Sequence, residues 1–314
     1  MNSFGHSFRF TSFGESHGAA IGGVLDGVPA GLSIDLDLIR RELDRRAGRT
    51  GSVGHASSSR AKNETDEVEW LSGVMDGKSL GTPIAFIVRN QDARPEDYEW
   101  LRTHYRAGHA DWVYQKKYGI RDWRGGGRAS ARETVSRVIA GCIAKQLLAL
   151  RGIRIQAQVT QVGTETDPTR WEKLLEEVRS AGDSIGGVVT CTITGVPVGV
   201  GEPIFDKLSS HLAYAMMTIN GCKGFDLGSG FQDLAKRGSE LYHPIDNLET
   251  LELPASGGID GGISNGDIIS FRCAFKPTAT IAQLYKGRHD ICIAFRAAAV
   301  VEAMAAITLI NEKL

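Results

Sequence analysis

The densest chemistry in the chain lies between Arg124 and Glu133, where three glycines are followed by Arg128, Ala129, Ser130, Ala131 and Arg132. Glycines ahead of a helix start bring backbone N–H groups close to an anion, and the helix dipole favours negative charge there. Flanking guanidinium groups add planar, charge-assisted hydrogen bonds suited to phosphate and carboxylate. No Gly-Lys-Ser/Thr follows the glycines, so this is not a Walker loop. A capped helix behind a flexible turn is the plainer alternative. Ser130 and Glu133 have capping-box spacing, which predicts Ser130 as the N-cap.

Histidines in glycine-flanked loops supply the second kind of chemistry. His17 lies in Phe13-Gly-Glu-Ser-His-Gly18 and His109 in Tyr105-Arg-Ala-Gly-His-Ala-Asp111. With an unperturbed pKa of about 6.5, a histidine near arginines suits general acid work. Taken singly, each reads better as a ring bonded to local backbone. Gly287-Arg288-His289-Asp290 sets a cation beside a carboxylate, and in the simpler reading Asp290 is the counter-ion of Arg288. The spacing of His17, His109, His289 and Asp290 matches no metal motif, so no metal site is expected. Lys276-Pro-Thr-Ala-Thr280 and the glycine-rich run 257–266 flank one strong strand, each ordinary turn chemistry by itself.

Helical and strand patterns must hold these loops in place. They alternate without repeat or linker, which suggests one mixed α/β (α+β) body, a single domain over residues 1–314. The clearest helix is predicted over 131–150, with Val135, Val138, Ile139, Cys142, Ile143, Leu147 and Leu150 on one stripe and Gly152 as its stop. Others are predicted at 35–46, burying Leu36, Ile39 and Leu43, and at 171–181, 206–220 and 297–313. Strands are expected at 84–89, 153–162, 187–193 and 267–275.

Composition bounds the function. The 42% hydrophobic content of the 314 residues supports a core, and no run approaches the roughly 18 apolar residues of a membrane span. The first residues lack a signal-peptide pattern, and five cysteines without a close pair read as reduced, cytoplasmic thiols. A net charge of −1 argues against general binding to nucleic acid or a membrane surface. Arginine outnumbers lysine 24 to 12. Arg40, Arg41, Arg45, Arg46 and Arg49 read as a solvated helix face laced with Glu42 and Asp44, while Arg121, Arg124, Arg128 and Arg132 form a second group.

In order and along nearly the whole chain, these motifs resemble the chorismate synthase family. The matching pieces are the 13–18 loop, Arg45-Arg46, the 105–111 loop, the long run 117–134, Gly195 to Pro203, Ala215 to Asn220, 257–266, Phe275 to Ile281, Gly287 to Asp290 and Val301 to Ala306. The resemblance implies a β-α-β sandwich, a homotetramer, and the reaction that makes chorismate for aromatic amino-acid biosynthesis. That reaction is a 1,4-anti elimination of phosphate from 5-enolpyruvylshikimate 3-phosphate, dependent on reduced FMN without net redox change. By the same resemblance His109 would protonate the departing phosphate, His17 would protonate or hydrogen-bond the reduced flavin, and Asp290 would assist proton removal at flavin N5. Arg46, Arg106 and Arg132 would bind substrate. Arg128, Ala129, Ser130, Asn220, Gly221, Gly261, Lys276, Pro277, Thr278, Ala279, Thr280 and Arg288 match FMN-contacting positions.

The chain also departs from the family pattern. Ala47-Gly48 replace an arginine and a proline, and the loop through Ser59 is foreign. Pro254-Ala-Ser stand before Gly257, where the family has an asparagine. Ile291 stands where a proline is usual, and Arg296-Ala-Ala-Ala299 replaces Arg-Ala-Val-Pro. Two further readings therefore accompany the first: a diverged paralogue that binds flavin or phosphate without turnover, and a flavin reductase. Some relatives reduce their flavin with NADPH, but no GxGxxG fingerprint follows a strand here.

Overall fold

The computed structural model describes residues 1–50, 63–241, 256–285 and 289–314. Alternating apolar and polar residues build two antiparallel sheets. The first contains β1 (Ser3–Phe4), β2 (Arg9–Phe13), β3 (Ala20–Asp26), β4 (Glu69–Ser72) and β7 (Ile84–Arg89), in the order β1-β2-β3-β7-β4. The second contains β8 (Arg154–Val162), β9 (Gly187–Thr194), β10 (Cys222–Leu227) and β13 (Ile269–Phe275), in the order β10-β13-β9-β8. Short ribbons β5–β6 (Val74–Met75, Lys78–Ser79) and β11–β12 (Ile259–Asp260, Ile263–Ser264) complete the strands.

Helices fill the space between the sheets: α1 (Leu36–Ala47), α3 (Thr134–Ala149), α5 (Leu208–Met217) and α6 (Ala294–Leu309), with α2 (Asp111–Tyr118) and α4 (Trp171–Ser180) completing the set. On one side α3 packs on β2, β3 and β7; on the other it packs on α6, which lies on β8 and β9 of the second sheet. That is the expected β-α-β sandwich. Side chains all round α6 are buried, as a helix apolar on every face requires. Small residues bring α3 and α6 together, since a Cβ on Gly141 would lie 2.3 Å from the Cβ of Ala303.

The predicted strands at 84–89, 153–162, 187–193 and 267–275 and the helices at 35–46, 171–181, 206–220 and 297–313 are present with shifts at their ends. Other expectations need correction. Leu36, the first residue of α1, is 55% exposed, because the helix begins there, behind its Asp35 cap, before its apolar stripe turns inward. The long helix starts later than 131: a 3-10 turn over Ala131–Glu133 precedes it. Ser130 caps that turn by accepting from the Arg132 N–H, but no capping box forms. The Ser130 N–H is already given to the Gly127 carbonyl, and the Glu133 carboxylate pairs with Arg137 instead. Strand β3 went unpredicted because Gly22 and Gly23 break its pattern. Those glycines leave room for cross-strand rings, since a Cβ on either would meet Phe13 or Phe10 within 2.7 Å.

Candidate active site

A cleft of about 1050 Å³, counted out to its open mouth, gathers residues from the β2–β3 turn, the end of α1, the loops before α2 and α3, the segment after α5, and the stretch from β13 into α6. His17 is buried on the β2–β3 turn, its Nδ1 2.9 Å from Ser16 Oγ and its ring edge-on to Tyr98. His109 stands in the loop before α2, with Nδ1 2.8 Å from Asp111 Oδ1. The three-glycine turn runs under both rings. A Cβ on Gly125 would sit 2.2 Å from His17 Cε1, and one on Gly126 would sit 2.6 Å from His109 Cε1. This revises the reading of the glycine run. The N–H groups of Gly127, Ala129 and Ser130 are engaged within the turn, so its main service is close approach to two imidazoles.

Arginines form the deep wall. Arg46 is 1% exposed, and its Nε and Nη2 have no hydrogen-bond partner among the described residues. Its nearest carboxylate, Asp66 Oδ2, is 3.7 Å from Nη2. Burial, with Arg296 and Arg132 nearby, pushes its pKa down to about 9 against the pull of Asp66, so it stays charged at neutral pH. The solvated-face reading therefore fails for Arg46, because the last turn of α1 points it into the molecule. Arg132 donates to Asn90 Oδ1 at 2.9 Å and to Asp66, with Glu64 at 3.6 Å. Burial would raise the Asp66 carboxyl, but the surrounding arginines hold it below the usual carboxylate range.

The opposite wall comes from the second sheet. Asn220 Nδ2 donates to the Ala129 carbonyl, and the Lys276 N–H donates to Gly221, tying the 220–221 turn to the segment after β13. Thr278 Oγ1 donates to the Asp290 carbonyl at 2.8 Å, and Thr280 Oγ1 accepts from Arg106 Nη1 at 3.1 Å. Asp290 is buried and receives Arg296 Nη1 at 2.6 Å, so Arg296 serves as its counter-ion. Arg296 also donates to the Arg46 carbonyl at 3.0 Å, joining α6 to the end of α1.

Thus His17, His109, Asp290, Arg46, Arg106, Arg132, Ala129, Ser130, Asn220, Gly221 and Lys276 through Thr280 all line one cleft. Two expected residues do not. Arg128 turns toward the Gly14 carbonyl and Ser12 Oγ, and Gly261 sits in the β11–β12 turn. Arg288 and Pro254 lie outside the described residues. The donor set suits a flavin phosphate and an anionic substrate. Buried Arg46 Nε and Nη2, Asn220 Oδ1 and His289 Nε2 lack partners among the described residues, and a polar ligand would satisfy them.

A protein-family model described as chorismate synthase matches residues 8–314. The chain belongs to the chorismate synthase family. The chorismate synthase of Parabacteroides distasonis is 46% identical, with 99% of this chain and 97% of that protein covered. That of Azobacteroides pseudotrichonymphae genomovar. CFP2 is 45% identical over 99% of this chain and 98% of the relative. A crystal structure of chorismate synthase superposes with a TM-score of 0.77 at 30% identity, covering 98% of this chain and 92% of that one. Both sequence alignments run over 353 positions, so these relatives carry segments that the 314 residues here lack. As a chorismate synthase family member the chain is a phosphate lyase of the shikimate pathway. Among its described residues, no helix is long and apolar enough to cross a membrane.

Chorismate synthase motifs did not point to Asp66, Glu64, Tyr98 or Arg296. Arg296 carried a signal of its own: it is the one cation in a mostly apolar helical stretch, and a buried cation needs a partner. Asp66 carried none, because its three arginines come from 46, 49 and 132.

Proposed function

We propose that this cleft eliminates phosphate from 5-enolpyruvylshikimate 3-phosphate, with His109 protonating the leaving group and Arg46, Arg106 and Arg132 binding the substrate anions. The carrying observation is Arg46, a fully buried guanidinium with two nitrogens that have no hydrogen-bond partner among the described residues, in one cleft with His17, His109 and Asp290. Such a cation favours a phosphate or carboxylate ligand strongly, because burial removes water as a competitor. A donor at His109 Nε2 would let phosphate depart as a weaker base.

Ala129, Ser130, Asn220, Gly221 and the 276–280 segment would hold FMN, and the reduced cofactor supplies transient electron density. His17, buried against Tyr98, would hydrogen-bond or protonate it. Asp290, held by Arg296, would accept a proton at the flavin edge. Arg128, Gly261 and Arg288 complete the proposed FMN set, the first two by movement from where they now stand. One domain of 1–314 is supported by a contiguous core and a cleft that draws on both sheets. Assembly as a homotetramer would cover Ile204, Phe205, Phe231 and Leu234, large apolar side chains that are exposed in the single chain.

The test is anaerobic incubation with reduced FMN and 5-enolpyruvylshikimate 3-phosphate, following chorismate absorbance and phosphate release. Turnover is expected, and His109→Ala should lower kcat by about two to four orders of magnitude. Tight FMN binding without turnover would instead support the non-catalytic paralogue.

A further inference from the structure

The geometry points to Asp111 as the positioning residue that fixes the tautomer of His109 and the plane of Arg106, the groups that respectively protonate the leaving group and bind the substrate anions in the reading above, on which this inference rests. Asp111 is the first residue of α2, and its side chain is 2% exposed. Its carboxylate is fully engaged, and every contact returns to its own loop. Oδ2 accepts from the Arg106 N–H at 3.0 Å and from Arg106 Nε at 2.8 Å. Oδ1 accepts from Arg106 Nη2 at 2.9 Å and lies 2.8 Å from His109 Nδ1. Gly108, with φ of 67°, provides the left-handed turn that lets residues 106, 109 and 111 converge.

The chemistry of that convergence is restrictive. An ionised carboxylate only accepts hydrogen bonds, so His109 Nδ1 must carry the hydrogen. Nε2 is then the nitrogen left for the cleft. Arg106 Nη2 is also 3.2 Å from Nδ1, and two donors there would repel unless both aimed at the shared Oδ1. Burial would raise the Asp111 carboxyl, but hydrogen bonds from His109 and Arg106 hold it far below the usual range, so it stays ionised.

Beyond Asp111, charged groups of both signs surround His109, and the carboxylates Glu64 and Asp290 line the same cleft. Arg106 is in contact, and Lys276 reaches the Gly108 carbonyl from the second sheet. Arg132 lines the same cleft, His17 lies beyond Gly125, the neighbouring glycine turn carries no charge, and Tyr285 offers a neutral hydroxyl to the Ala107 N–H. Among the described residues, Asp111 is the carboxylate in direct contact with the His109 ring. It does for His109 what the aspartate of a serine-protease triad does for its histidine, here with an arginine sharing the carboxylate.

Three measurements test this. In the wild-type, ligand-free chain, ¹⁵N shifts should show His109 as the Nδ1–H tautomer; an Nε2–H tautomer overturns the proposal without any variant. In Asp111→Asn the same shifts should show the Nε2–H tautomer gaining population, because the amide can donate to Nδ1; an unchanged Nδ1–H tautomer also overturns it. Finally, Asp111→Asn should lower kcat by about 10²–10⁴-fold in the wild-type background. In a His109→Ala background the same change should keep only the part of that loss carried through Arg106, well short of the full factor, because a positioning residue acts through its partners. Full multiplicative loss in the double variant would mean a separate, purely structural role. The two NMR arms need no turnover, so they stand even if the assigned reaction fails.

Discussion

Gly125 and Gly126 adopt φ of 61° and 89°, and each lies against a histidine ring. A methyl at either position meets two penalties, the left-handed backbone and the imidazole. For Gly125→Ala the ring of His17 must move, because the added carbon would overlap it at 2.2 Å. Displacement of a reacting group by about 1 Å lowers turnover roughly 100-fold. We expect kcat to fall by about that factor, with folding, followed by circular dichroism, weakened by only about 1–2 kcal/mol. A variant with normal kcat would show that the turn only spaces the rings. Arg46 illustrates the same scale differently: its chemistry comes from what surrounds it, Arg132, Arg296 and the carboxylates of Asp66 and Asp290, and not from its place in a basic run.

Between elements, the α3–α6 contact decides how closely the two halves of the cleft approach, since α3 follows the glycine turn and α6 follows Asp290. Gly141 makes that contact possible. In an isolated helix Gly→Ala stabilises by about 1 kcal/mol. Here the new carbon would stand 2.4 Å from the Ala303 Cα, backbone that cannot step aside. Overpacking of this kind costs about 1–3 kcal/mol, so the sign reverses. Gly141→Ala should lower the midpoint of urea unfolding, and an increase would mean that the helices separate freely.

Across the molecule, one buried ionic cluster joins both layers. Glu302 on α6 accepts from Arg45 Nη2 at 2.9 Å and from the Ala157 N–H at 2.7 Å, and pairs with Lys145. Four elements, α1, α3, α6 and β8, meet at one carboxylate. Burial would raise the Glu302 carboxyl, but Arg45 and Lys145 hold it below its ordinary value of about 4.5. A depressed carboxyl contributes stability that is present above the unfolded pKa and lost as pH falls through the folded one. Glu302→Ala leaves two cations without this partner and should cost about 3–5 kcal/mol, read from chemical denaturation at pH 7. Glu302→Gln should also flatten the loss of stability between about pH 5 and the folded-state pKa. An unchanged acid limb would place the titrating group elsewhere.

Local patterns were enough for five of the helices and four of the longer strands. Alternation in Ile269–Phe275 and the stripe of Val135, Ile139 and Cys142 report a buried face wherever the chain goes. The histidine, glycine and Lys276–Thr280 motifs were ambiguous one by one, and only their order along the chain, in its resemblance to a family, gave them roles. Tertiary structure alone decided which arginine is which. Arg40 lies exposed beside Asp37 and Arg46 is sealed inside, although six positions separate them in one helix. Their difference is set by packing against α3 and α6, by Asp66 and by Arg296. Charge in a protein interior depends on its neighbours through space, and most of those neighbours are far away in sequence.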